Sequence, residues 1–417
     1  MADKLFIYNR DEVFVKIDCN EGISHELRDY FTFHVPGYQF TPQYRNRLWD
    51  GKIRLWDIRT KQIYRGLVPH IVKFCEERGY DWEYDNEVYD EEFSLNEAEQ
   101  FIAKLNIPEK FERRDYQIDA FVHAVRTRRS LLLSPTASGK SLIIYLLTRF
   151  YSSRTLIIVP TTSLVSQLAS DFADYGFESD RFVHRIFGGE DKQTNKPITI
   201  STWQSIYKLP KKYFEQFDVI IGDEAHLFKA KSLATIMEAT TNAKYRFGFT
   251  GTLDGTKTHK LVLEGLFGSV RKVTTTKELM TQGHVADFHI KCLLLKHNDS
   301  ICQAAKSFTY QQEIEYLVLN EARNNFIVNL ATSLEGNSLI LYQYVDKHGQ
   351  VLYDKLNNKF KNDGLIDRTI CFVHGGVEGE DREEIRRVVE NEKNAIIVAS
   401  YGTFSTGINI RNLHNII

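Results

Sequence analysis

The chain is poor in the features that mark secreted and membrane-spanning proteins. Five cysteines occur in 417 residues (Cys19, Cys75, Cys292, Cys302, Cys371), far apart and with no C-x-x-C pair. That spacing argues against a disulfide frame or a cysteine zinc site and fits buried thiols in a reducing cytosol. No apolar run reaches the roughly 18–20 residues of a membrane span. The opening Met1-Ala-Asp-Lys-Leu-Phe lacks the apolar stretch of a secretory leader, so a cytoplasmic protein without membrane contact is expected. There is no low-complexity segment and no obvious repeat. A surplus of one charge sign is missing too: the formal charge is −2, so any affinity for polyanions must come from local patches. What remains is ordinary globular composition, 42% apolar and 26% charged, at a length that fits two or three domains.

Three regions differ in texture. Residues 1–93 mix short alternating strands, such as Glu12-Val-Phe-Val-Lys-Ile-Asp18, with two short helical patterns, and turn strongly acidic over 76–92, as in a solvated turn or linker. Ser94-Leu-Asn-Glu97 is a capping box opening a helix that Pro108 stops. Over 94–280, apolar strands at 131–133, 155–159, 198–201, 219–221 and 246–249 alternate with helices, the pattern of right-handed βαβ units and a parallel sheet. Over 281–417 a second alternation places a long helix at 310–334 and strands at 338–342, 368–373 and 394–399, with a further strand at the end. The expected fold class is α/β: two parallel-sheet domains, the second incomplete, and a small N-terminal α+β domain.

Two segments carry the chemistry. Ser134-Pro-Thr-Ala-Ser-Gly-Lys-Ser141 lies between a strand and a helix, and its backbone N–H groups are placed to cradle phosphates. Thr136, Ala137, Ser138 and Gly139 form that cradle, Lys140 reaches the β/γ-phosphates and Ser141 holds Mg²⁺. The match is loose, since Ser134 stands where a glycine is usual. Val219-Ile-Ile-Gly-Asp-Glu-Ala-His226 is a strand ending in two carboxylates. Asp223 suits the magnesium shell, and Glu224 suits the orientation and deprotonation of an attacking water. Either alone is weak. Both, in this order and each after a strand, specify an engine that hydrolyses a nucleoside triphosphate with Mg²⁺.

Other positions fall into place around it. Gln117, just upstream, has the amide needed to read adenine, or simply starts a helix. Thr161 and Thr162 open a helix after a strand and suit a nucleic-acid phosphate or plain N-capping. Trp203 suits base stacking or a core. Thr250 and Thr252, with His226, suit a relay of the γ-phosphate state, or an ordinary turn and a helix cap. Ser400-Tyr-Gly-Thr-Phe-Ser-Thr-Gly-Ile-Asn409 is a small-residue loop after a strand, open to phosphate or ribose. Between Tyr38 and Gly66, Arg45, Arg47, Lys52, Arg54, Arg59, Lys61 and Arg65 face only Asp50 and Asp57, a balance of about +5. Tyr38, Phe40, Tyr44, Trp49 and Trp56 are interleaved with them. Cations for phosphates and rings for bases compose a nucleic-acid surface, although a small domain also needs rings for its core.

Taken in order, these segments resemble the superfamily 2 helicases. Gln117 matches the glutamine motif, 134–141 motif I, 160–164 motif Ia, Asp223 to His226 motif II, Thr250 to Thr252 motif III and 400–409 motif V. His25-Glu-Leu-Arg-Asp29, Trp49-Asp-Gly-Lys-Ile-Arg-Leu55 and Leu156-Ile-Ile-Val-Pro-Thr-Thr162, with the stretch around Ser400, extend the likeness to the UvsW-type recombination helicases of T-even-like phages. The resemblance implies two RecA-like domains, Gly407 and Asn409 at the ATP site and Thr403 on DNA. It also implies remodelling of forks, Holliday junctions and D- or R-loops, so DNA, RNA–DNA hybrids and phage recombination or single-strand-binding proteins as partners, within the host cytoplasm. These helicases carry a later arginine-bearing motif VI, yet eight residues follow Asn409. The expectation is a C-terminally incomplete chain that holds ATP and hydrolyses it weakly, or an ATP-gated DNA-binding module. A phosphate-loop ATPase acting on something else is disfavoured by motifs Ia, III and V.

Overall fold

The computed structural model describes residues 4–85, 92–189, 191–253, 255–286, 288–363, 368–374, 391–404 and 412–417. The chain divides into two units, Met1–Asp287 and Phe288–Ile417.

Period-two alternation builds the N-terminal sheet. In β1 (Lys4–Asn9) and β2 (Phe14–Asp18), Leu5, Ile7, Val15 and Ile17 point inward, as the pleat requires. Between β3 (Thr32–His34) and β4 (Lys52–Arg54), an antiparallel ribbon, runs the loop 35–51. With β5 (Gln62–Tyr64) and β6 (Asp81–Asp85), β1 and β2 form a sheet in the order β5-β2-β1-β6. The acidic stretch expected as a turn or linker thus contributes β6, which pairs in parallel with β1. An available strand edge outweighs the unfavourable charge of Asp81-Trp-Glu-Tyr-Asp85. Trp56 is 2% exposed and donates its Nε1 proton to Ser24 Oγ at 3.2 Å, so this ring belongs to the core. Arg65 leaves the basic patch as well: it is buried and pairs with Glu12 at 2.6 Å.

That sheet is joined tightly to the remainder of the first unit. Glu12 also accepts from Arg129 at 2.8 Å, Tyr64 donates to Glu238 at 2.5 Å and His70 meets Glu264 at 2.9 Å. Gly66 lies so close to the helix Lys257–Phe267 that a Cβ there would stand 2.1 Å from the Glu264 carbonyl oxygen. Hydrogen bonds to charged partners contribute on the order of 1.5–3 kcal/mol each, enough together to hold the two layers in one unit.

The interior strands of the central sheet are buried on both faces, the signature of a parallel sheet, and its two edge strands are partly exposed. The strands are β7 (Arg129–Leu133), β8 (Thr155–Val159), β9 (Val183–Ile186), β10 (Ile198–Thr202), β11 (Val219–Gly222), β12 (Tyr245–Thr250) and β13 (Val270–Lys272). Their order is β13-β7-β12-β11-β8-β10-β9, every pair parallel. The helix Lys140–Tyr151 buries every residue from Leu142 to Thr148, so it lies within the core rather than on its surface. At the carboxyl edge, β7, β12, β11, β8 and β10 end side by side. Four of the segments singled out in the sequence follow those strands, and the fifth, Trp203, follows β10.

In the second unit β14 (Ser338–Tyr342), β15 (Ile370–Val373), β16 (Ile396–Ser400) and β17 (Asn415–Ile416) form a parallel sheet in the order β15-β16-β14-β17. The long helix expected at 310–334 is two helices, Tyr310–Leu319 and Glu321–Ser333. Asn320 takes an extended conformation between them, and its side chain accepts from Arg323 N at 2.8 Å. An asparagine that can cap a new helix outcompetes continuation of the old one.

Candidate ATP site and nucleic-acid face

The register of three strands assembles the site. Leu133 is opposite Thr250 and Gly222 is opposite Gly248, so the loops after β7, β12 and β11 emerge as neighbours. Ala137 and Gly139 take positive φ of 64° and 76°, a conformation that curls backbone N–H groups into one concavity. The Ser134 hydroxyl is 2.6 Å from the Ser138 hydroxyl, which donates to Pro135 O at 2.6 Å. Ser134, in the position where glycine is usual, is therefore fully buried and ties the loop shut.

Lys140 bridges both carboxylates, at 3.0 Å from Glu224 Oε1 and 3.8 Å from Asp223 Oδ1. Glu224 sits at φ 51°, and its other oxygen is 3.3 Å from His226 Nδ1. His226 Nδ1 is also 3.0 Å from Thr250 Oγ1, whose own proton goes to Thr252 O at 2.8 Å. Nδ1 thus faces two oxygen acceptors, Glu224 Oε2 and Thr250 Oγ1, which a proton on that nitrogen serves. A continuous polar chain therefore runs from Lys140 through Glu224, His226 and Thr250 to Thr252. Burial pushes the Glu224 carboxyl up, but His226 and Lys140 outweigh it and hold it down at about 2. Burial dominates at Asp223 and raises it despite Lys140.

Gln117 lies behind the loop, 3% exposed. Its Nε2 donates to Ser138 O at 2.9 Å and its Oε1 accepts from Arg114 N at 3.0 Å. Two residues not picked out in the sequence join it: Arg114 donates to Ala137 O at 3.1 Å and Tyr116 to Ser138 O at 3.1 Å. The segment 114–117 thus braces the phosphate loop as a unit. Tyr175 was also missed; its hydroxyl lies 2.8 Å from Ser141 Oγ, with the Asp171 carboxyl beside the same hydroxyl. No local pattern announces that contact, because it arises from packing of two helices.

Further along the edge, Thr161 caps the helix Thr162–Asp174, its hydroxyl accepting from Leu164 N at 3.4 Å, and Thr162 is exposed. Gln204, next to half-buried Trp203, donates to Pro160 O at 3.5 Å. The loops after β8 and β10 therefore form one face beside the carboxylates. Arg45 and Arg47 are exposed, Lys52 is half-buried and Arg54 pairs with Asp50. Thr403 lies in the helix Tyr401–Phe404 after β16. Gly407 and Asn409 lie outside the described residues. None of the five cysteines is bonded to another. Among the described residues no helix is long and apolar enough to cross a membrane.

A family model for the N-terminal part of DNA helicase UvsW matches residues 5–85, and one for the Res subunit of type III restriction enzymes matches 110–255. The ATP-dependent DNA helicase UvsW of Enterobacteria phage T4 is 37% identical over 426 residues, covering 99% of this chain and 83% of that protein. This chain belongs to the UvsW family of superfamily 2 helicases. The crystal structure of T4 UvsW superposes with a TM-score of 0.61 at 35% identity, again over 99% of this chain and 83% of that one. The DNA 3'-5' translocase XPB2 of Sulfurisphaera tokodaii is 25% identical over 335 residues, covering 73% of this chain and 74% of that protein. The α/β architecture expected from the strand pattern agrees with these relatives.

Proposed function

We propose that this chain is an ATP-dependent DNA helicase that remodels branched DNA, with its ATPase centre on the carboxyl edge of the central sheet. Lys140 and the N–H groups of Thr136 to Gly139 hold the phosphates of ATP. The donor set fits magnesium, which prefers oxygen ligands and shares them with substrate phosphates: Ser141 and Asp223 would hold it, and it would neutralise charge on the phosphates. Glu224 accepts the proton of the water that attacks the γ-phosphorus as the bond to the leaving diphosphate breaks. An arriving phosphate competes for Lys140 and so loosens its grip on Glu224. His226, Thr250 and Thr252 then carry the change toward Thr161, Thr162 and Trp203, on the face proposed to hold one DNA strand. Arg45, Arg47 and Lys52 supply phosphate contacts from the N-terminal region, while Arg54 is held by Asp50 and does not.

The unbroken chain of contacts from Lys140 to Thr252 is the observation that carries this reading. ATP turnover should rise on adding forked DNA, more than on adding linear duplex. Glu224→Gln should lower turnover by roughly 10²–10⁴ while nucleotide still binds. His226→Ala should keep the basal rate and lose the DNA response. Turnover indifferent to every DNA would overturn the proposal.

A further inference from the structure

We infer that the loop between β3 and β4 is a receptor for one unpaired nucleotide at a DNA branch, with the base against Leu48 and Tyr44 and the flanking phosphates on Arg45 and Arg47. The inference rests on the helicase reading and adds to it a subsite and its ligand.

The loop is built rather than loose. Tyr38 stacks on His34 with ring centroids 4.6 Å apart and meets Tyr44 edge-on at 4.7 Å. Leu48 N donates to Gln43 O at 2.9 Å, and Trp49 Nε1 donates to Lys52 O at 3.0 Å. Gly51 closes the ring at φ 76°, where a Cβ would stand 2.2 Å from the Tyr38 ring. Tyr38 is spent inside the loop, while Leu48 is 79% exposed, Phe40 70% and Tyr44, engaged only at its edge, 37%. Leu48, Phe40 and Tyr44 thus set three exposed apolar side chains on one braced loop, and grouped exposed apolar residues mark an interaction surface.

The neighbours of Leu48 define the ligand. A groove of about 560 Å³ opens among Tyr44, Arg45, Arg47, Leu48 and Trp49, with Gln39 and the Arg54-paired carboxylate of Asp50 also on its wall, the size of a pocket for a small ligand. Arg45 and Arg47 have no ion pair among the described residues, whereas Arg54 is neutralised by Asp50. Two guanidinium groups without an ion pair, flanking an apolar side chain, match the phosphates on either side of one base. Stacking on a ring or apolar wedge accepts any base, but a base within a duplex is already stacked on both faces. Only an unpaired base, as at a branch point, is available.

The test places 5-iodouracil either at the unpaired branch base of a fork or inside a linear duplex, with the full chain. Ultraviolet crosslinks should map to Tyr44 or Trp49 in the fork and not in the duplex. Leu48→Ser, at a site too exposed to disturb folding, should reduce the preference for fork over duplex by roughly 5- to 100-fold and leave duplex affinity unchanged. Fork binding with crosslinks elsewhere, or a preference untouched by Leu48→Ser, overturns the inference alone. A change only in oligomeric state with Leu48→Ser would also overturn it, reassigning the patch to protein contact. Failure to bind any DNA overturns the helicase reading together with it.

Discussion

The phosphate loop and the loop between β3 and β4 handle charge in opposite ways. In the first, Lys140, Asp223, Glu224 and His226 satisfy one another within 4 Å, and the backbone is braced from behind by Arg114, Tyr116 and Gln117. In the second, the aromatic rings brace one another while Arg45, Arg47 and Leu48 face solvent. Mutually compensated charges keep a buried site from carrying an unpaired ion before its ligand arrives, at the cost that the ligand must compete with Glu224 for Lys140. Charges left in water need no compensation and are ready for a long polyanion, but salt screens them. One loop therefore suits a small ligand whose own charges replace internal ones, and the other a polymer met at the surface.

The contrast breaks most visibly at Gln117. If its amide braces the loop, Gln117→Ala should weaken ATP and GTP alike, by roughly 5- to 100-fold, the cost of unsatisfying buried groups. A loss confined to ATP in equilibrium binding would return the amide to reading adenine. A smaller effect is expected on the other side of the comparison. Arg45→Ala with Arg47→Ala should flatten the dependence of log affinity on log salt by about 2, near 0.9 per phosphate contact. Arg54→Ala should leave that slope almost unchanged, because Asp50 already holds the guanidinium. Equal slopes for the double and single variants would show that exposure does not decide which arginines meet DNA.

These differences also mark what a sequence can and cannot disclose. The meeting of Lys140, Asp223, Glu224 and Thr250 at neighbouring strand ends was legible, because strand ends follow from apolar runs. The parallel sheet was legible for the same reason. The half-polar edge strands β9 and β13 were not, since Val183-His-Arg-Ile186 buries only its two ends and Val270-Arg-Lys272 buries none of its residues fully. Asn320 reads as one more polar residue in a helical period until its capping bond is seen. Tyr175, Arg114 and the buried pairing of Arg65 with Glu12 depend on partners distant in sequence, which no local pattern can announce. Leu48 is one apolar residue among arginines, and only its exposure singles it out.

The smallest expected effect lies between the two loops, where the N-terminal sheet meets the helix Lys257–Phe267. The buried Glu264 carboxylate accepts from His70 Nε2 at 2.9 Å and from Val270 N at 3.2 Å. Burial works to raise its pKa, yet His70 and the Val270 N–H pull it below the ordinary 4.5. The unfolded chain therefore takes up this proton before the folded chain does as pH falls. The stabilisation is complete above the unfolded value of about 4.5 and is lost as pH drops through the lower folded value. Near neutral pH, Glu264→Gln should lower the thermal midpoint of the first unit by about 2–4 °C, the shift that ~1 kcal/mol gives a domain of this size. Thermal scans carried into acid below the ordinary carboxylate range should show the two proteins converging, because protonation then removes from the parent what the substitution had already removed. A gap that stays constant across that range would mean that packing around Gly66 and Gly265, not the Glu264 charge, joins the N-terminal sheet to the ATPase core.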